Sequence, residues 1–141
     1  MHVRSILVIA LMGLFSQSAS AQNFYRNQDL KDGVLVMSNI FSITYHTPWG
    51  QVLMTKRMVG RSTWATVERT MWKNWTNPDF SVYSAKVNNA TIIRSGLHMY
   101  TIRGSVYVDY GKGLDGVTYN FTEVIDNGMG SPEVKQIIVT H

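Results

Sequence analysis

Apolar and polar side chains alternate with a period of two through most of the chain beyond residue 40. In FSITYH, Phe41, Ile43 and Tyr45 share one side while Ser42, Thr44 and His46 take the other. TPWG follows at 47–50. Pro48 presets φ for the second position of a turn and Gly50 tolerates the exit, so QVLMTKRM reads as the return strand of a hairpin. FSVYSAK, ATIIRS and LHMYTIR read as further short strands, separated by VNN and Gly96. GSVYVDY sets Val106, Val108 and Tyr110 against Ser105, Tyr107 and Asp109. VTYNFTEVI sets Val117, Tyr119, Phe121 and Ile125 against Thr118, Asn120, Thr122 and Val124, with Glu123 interrupting the apolar side. DNGMG carries Asn-Gly, whose two residues both accept positive φ in a tight hairpin. EVKQIIVT returns after Pro132, which suits a strand start or a sheet edge.

STWATVERTMWKNW, Ser62 to Trp75, is ambiguous. Trp64, Val67, Met71 and Trp75 stand at helical spacing, whereas the threonines, Val67 and the aromatics favour a strand. A strand is the expectation. The whole pattern predicts an all-β domain, an antiparallel sandwich or barrel of roughly seven to nine short strands.

The first residues change the picture of where the chain goes. Arg4, the apolar run Ile6–Phe15 and the small residues Ala19-Ser20-Ala21 have the layout of a signal peptide over 1–21. An apolar run of about ten residues is too short to span a bilayer. The expectation is a single secreted domain over 22–141, extracellular and not integral to a membrane. There is no cysteine, so disulfide scaffolds and thiolate zinc sites are excluded. Of the 13 basic residues only Arg4 falls in the leader; 9 acidic residues oppose the rest.

The candidate chemistry is sparse. Gly111, Gly113 and Gly116 spell G-x-G-x-x-G, but the period-two segment after them is a strand, and a dinucleotide loop requires a helix there to hold the pyrophosphate. Asp109 and Asp115 could contribute oxygens to a lone calcium loop, yet the nonapeptide repeat that binds calcium works as an array and only one copy is present. The dominant reading is a glycine-rich connection between two strands. His46, His98 and His141 show no ligand spacing, and no G-x-S-x-G occurs. Glu123, on an apolar face, has the setting for a raised pKa. Neither a cofactor nor a metal is expected, and no nucleic-acid partner.

The most suggestive surface is basic and aromatic. Lys56, Arg57, Arg61, Arg69 and Lys73 stand against Glu68 alone in 56–73, and Trp49, Trp64, Trp72 and Trp75 fall in or beside that stretch. Tryptophan offers a broad apolar face with a polar handle, and neighbouring cations can meet phosphates or sulfates. The candidate ligand-binding set is therefore Trp49, Trp64, Trp72, Trp75, Arg57, Arg61, Arg69 and Lys73, with some of the tryptophans expected in the core. Asn74, Asn89 and Asn120 open N-x-Thr sequons and are candidate glycosylation sites in a secreted chain.

The C-terminal third, ATIIRS followed by GSVYVDYGKGLDGVTYNFT and NGMGSPEVKQIIV, resembles the tail of the insect multiprotein-bridging-factor type-two family. Ile92, Ile93, Gly104, Val108, Gly111, Gly113, Val117, Phe121, Gly128, Val134 and Ile138 occupy the corresponding strand and turn positions. The acidic-polar pair expected after the first strand is missing, and Lys112 and Leu114 interrupt the glycine cluster. The resemblance implies a small secreted β-protein of saliva or haemolymph.

Taken together, the expected function is non-enzymatic: an extracellular protein that binds a glycan, a lipid headgroup or another protein. Two alternatives remain open. One is a carrier with an apolar internal cavity. The other is a hydrolase whose carboxylates, such as Asp109, Asp115 and Glu123, converge from separate strands.

Overall fold

The computed structural model describes residues 23–141. The segment expected to be a signal peptide, 1–21, lies outside them. Three helices come first: α1 over 23–42, α2 over Trp49–Arg57 and α3 over Arg61–Trp75. Four strands follow: β1 Ser84–Gly96, β2 Met99–Asp109, β3 Val117–Asp126 and β4 Glu133–Thr140. They form one antiparallel sheet in the order β1-β2-β3-β4. Among the described residues no helix is long and apolar enough to cross a membrane.

The all-β expectation of seven to nine strands is therefore wrong; the protein is mixed, with helices against one face of a four-stranded sheet. The hairpin expected across 41–58 is instead the end of α1, a turn and α2. Phe41 and Ser42 close α1, Thr47 donates its backbone N–H to the Thr44 carbonyl at 3.1 Å, and Pro48 caps α2 at φ −57°. A proline beside the first helical turn loses no helical hydrogen bond, so the same Pro-Gly chemistry that suggests a hairpin also starts a helix. Ser62–Trp75 is helical as well. The hydroxyls of Thr66, Thr70 and Thr76 each donate to the carbonyl four residues back, which satisfies them inside the helix. Burial of Trp64 and Val67 on one face then outweighs their strand preference.

The β half follows the sequence pattern more closely. FSVYSAK contributes only its end to β1, which continues through VNN and ATIIRS; the VNN break is a bulge, with Asn89 at φ 55°. LHMYTIR and GSVYVDY fuse into β2. The inner face carries Ile92, Tyr100, Ile102, Val106, Val108, Phe121, Ile125 and Val134, all buried. The outer face is open and polar, as expected where one side of an antiparallel sheet meets solvent.

α1 lies directly on this inner face. Its buried positions, Asp29, Gly33, Val36, Met37, Ile40 and Phe41, recur every three or four residues along one stripe. Gly33 is required by close approach: a Cβ there would stand 2.5 Å from both Glu123 Oε1 and Ile102 Cδ1. At the far end Arg26 donates to the Ile92 carbonyl at 3.2 Å, and Asn127 Nδ2 donates to Asp29 at 2.7 Å. The segment between α2 and α3 covers the β4 edge. Gly60 N–H donates to the Val134 carbonyl and Val134 N–H to the Met58 carbonyl, each at 2.8 Å. That pairing occupies part of a row of groups that would otherwise invite another strand.

Candidate functional site

The glycine-rich connection joins β2 to β3, with Gly111 and Gly113 at φ 69° and 72°. No helix follows Gly116; β3 does. The Asp109 carboxylate accepts the Gly111 N–H at 2.8 Å and closes a local turn. This loop ties together two tyrosines nine residues apart. Tyr110 and Tyr119 meet through their hydroxyls at 3.1 Å.

That pair stands in the wall of a pocket of about 360 Å³ between the helices and the sheet. α1 contributes Met37, Ile40 and Phe41; α3 contributes Val67, Met71 and the shorter polar Thr66, Thr70 and Asn74. Val108, Ile137 and Val139 add the apolar sheet surface, and Phe80, Thr140 and His141 complete the lining. The aromatics hold one another in place. Phe41 stacks on Tyr119 at 5.1 Å, His141 meets the same ring edge-on at 5.4 Å, and Phe80 meets Tyr110 edge-on at 5.8 Å. Such contacts fix ring orientation as well as bury area.

No lysine, arginine, aspartate or glutamate lines the pocket. Burial pushes the Tyr110 phenol up to about 12, and its hydrogen bond to Tyr119 adds to the shift. It is therefore a neutral phenol at physiological pH. One hydroxyl proton of the pair is used between the two oxygens. The second remains available to a ligand acceptor, as do unused lone pairs. The hydroxyls of Thr66 and Thr70 already donate to α3 carbonyls, so these residues offer mainly methyl surface and acceptor capacity. The size lies at the small end of the range of ligand pockets, and the lining suits a mostly apolar, uncharged molecule with a single polar head.

The residues expected at a binding surface are divided by the fold. Arg57, Arg61 and Trp64 line one groove between α2 and α3, and Arg69 and Trp72 line a depression that adjoins it. Trp64 is buried; Trp75 packs against it at 5.6 Å. Trp49 stands 66% exposed on the first turn of α2, and Lys73 is exposed on α3; neither lines this groove. Of the sequon asparagines, Asn74 lines the apolar pocket, Asn89 is exposed on the β1 bulge, and Asn120 is exposed on the outer face of β3.

The carboxylates do not converge. Asp109 lies in β2 seven residues from Ile102, the partner of Glu123, which places the two about 23 Å apart along the strand. Asp115 is exposed in the loop. Glu123 is 0% exposed beneath Gly33, and neither of its oxygens has a hydrogen-bond partner. Burial pushes its carboxyl up to about 9, so it is protonated at neutral pH. It has neither solvent access nor an arginine beside it.

Sequence reasoning did not find the pocket aromatics. Tyr119 was legible as an inward residue of its strand, but nothing in the spacing pairs it with Tyr110 or places Phe41 over it. Compared with protein-family models, with curated proteins and with solved structures, the chain matches none.

Proposed function

We propose that this is a non-catalytic extracellular protein that binds a small, mostly apolar, uncharged molecule between α1, α3 and the inner face of the sheet. The observation that carries the reading is the pocket of about 360 Å³, apolar over most of its lining and fitted with the Tyr110–Tyr119 hydroxyl pair. Apolar contact supplies most of the affinity in such a site, and a few placed polar groups orient the ligand. The open sheet closed by helices here takes the part that a closed barrel would play in a carrier. Secretion, use of the sequons and an insect setting belong to the same proposal. They rest on the leader-like first residues and the family resemblance of the tail.

The test is titration with N-phenyl-1-naphthylamine, a neutral apolar probe whose emission rises out of water. Saturable binding at about micromolar concentration is expected, worth about 8 kcal/mol. Thr70→Trp places a large ring in the pocket from an exposed helical position and should weaken binding at least about tenfold. Equal binding by the parent and Thr70→Trp, or no saturable binding, overturns the reading.

A further inference from the structure

The groove on the other side of α3 carries a second chemistry. Its walls are α2 residues Leu53, Lys56 and Arg57 and α3 residues Arg61, Trp64 and Glu68, with a volume of about 600 Å³. Beyond Ala65 and Glu68 it runs on into the depression at Arg69 and Trp72. Lys56, Arg57, Arg61 and Arg69 are exposed, and among the described residues none of them has a carboxylate within salt-bridge distance. Glu133, at the groove's edge, is already held by Lys135 at 3.3 Å, which leaves Glu68 as the one uncommitted carboxylate lining it. Three cations in the groove and a fourth in the depression beside it, with so little counter-charge, give this concave surface a positive potential that attracts an anionic partner.

We infer that this groove binds a sulfated glycan. Helical geometry sets Arg61 and Trp72 about 16 Å apart along α3, so the ligand is an extended chain rather than a single ion. Lys56, Arg57 and Arg61 gather at one end of that length and Arg69 stands further along α3, so a chain bearing more than one sulfate meets cations at both places. Trp72 is 57% exposed, and its ring offers a flat apolar face of the kind on which a sugar ring lies. Arginine dominates the set, and its planar fork matches an oxyanion with two parallel hydrogen bonds. The concave shape favours a chain laid into the groove over a flat lipid surface. This inference is independent of the apolar pocket, which opens between the opposite side of α3 and the sheet.

The experiment uses heparin, chemically desulfated heparin and phosphatidylserine vesicles as separate probes. Heparin should bind, with affinity falling about tenfold to a hundredfold as salt rises from about 50 to 200 mM, because cations released from a polyanion drive such binding. Desulfated heparin should not bind. Arg57→Gln combined with Arg61→Gln should weaken heparin binding about tenfold or more, and Trp72→Ala should weaken it at low and high salt alike. Each reading has its own probe, N-phenyl-1-naphthylamine for the pocket and heparin for the groove, so failure of the pocket reading and failure of this one are told apart. No heparin binding overturns the inference, as does equal binding by the double arginine variant. Binding to the vesicles without binding to heparin overturns it in favour of a membrane partner.

Discussion

Glu123 gives the sharpest quantitative test of this fold. Its side chain is fully buried under Gly33 with both oxygens unpartnered, and burial raises its pKa from 4.5 to about 9. Folding therefore retains a proton that the unfolded chain loses above pH 4.5. The stability associated with this group is fully present below pH 4.5 and is lost as pH rises toward 9, at about 1.4 kcal/mol per pH unit. From pH 5 to pH 8 the loss amounts to about 4 kcal/mol, a large part of the 5–15 kcal/mol typical of a domain. With a urea m-value of about 1.5 kcal/mol/M, the unfolding midpoint falls by about 2.7 M across that interval. Asp29 is also raised, by burial first, so its contribution has the same sign. A variant comparison isolates Glu123. Glu123→Gln keeps the shape and cannot ionise, so its midpoint should be nearly level from pH 5 to 8. The amide adds two donors with no partner, at about 1–3 kcal/mol, so the two curves should cross. Urea melts of both proteins at half-unit pH intervals measure this directly. Parallel curves would show that Glu123 is not buried uncharged, and the packing of α1 on the sheet would have to be redrawn.

Gly33→Ala should destabilise by about 1–3 kcal/mol through overpacking against Glu123 and Ile102, despite the better helix propensity of alanine. The penalty should shrink in a Glu123→Ala background, where urea melts of the four proteins form a double-mutant cycle. Tyr119→Phe removes one contribution to the raised Tyr110 pKa, so the tyrosinate absorbance titration of Tyr110 should move down from about 12 toward its ordinary range, and an unchanged curve would contradict the hydroxyl pairing.

The parts of the fold legible in the sequence are those with one wet face and one dry face. In β3 and β4 most inner positions are apolar and most outer ones polar, so period two shows through despite Glu123 inside and Val124 and Ile138 outside, and the reversal falls at the Asn-Gly stretch, although the positive φ there belongs to Gly130. The helices were hidden by the residues at their buried positions. α1 buries Asp29 and Gly33, where an apolar pattern is expected, and exposes Leu35, so its stripe is blurred. α2 is nine residues long and buries Val52 and Thr55, three apart, too few positions to establish a period. α3 is rich in threonine, whose hydroxyls only declare themselves helical once the carbonyls four residues back are placed. The pocket was beyond reach because it depends on register: Tyr110 and Tyr119 meet only when β2 and β3 pair as they do. The basic stretch, by contrast, was visible as composition. What the strand reading missed was its grouping, since helical spacing, not alternation, gathers Arg61, Ala65, Glu68 and Trp72 along one side.

α3 is the element on which both proposed sites depend. One side presents Val67, Thr70, Met71 and Asn74 to the apolar pocket, and another presents Arg61, Arg69 and Trp72 to the basic groove. Between them Trp64 and Val67 are buried in the common core, and Trp64 also forms part of the groove wall. A shift of α3 against the sheet would alter the pocket and the groove together. If occupation of the pocket moves the helix, affinity for a polyanion changes, and by linkage the polyanion changes affinity for the apolar ligand by the same factor. If the buried tryptophan and the Gly60–Val134 hydrogen bond hold the helix still, the two sites are energetically separate. Heparin affinity measured with and without saturating N-phenyl-1-naphthylamine reads this coupling: an equal affinity shows that the fifteen-residue helix, anchored at its N-terminal end to the β4 edge, insulates its two sides, and a changed affinity shows that it moves as a lever between them.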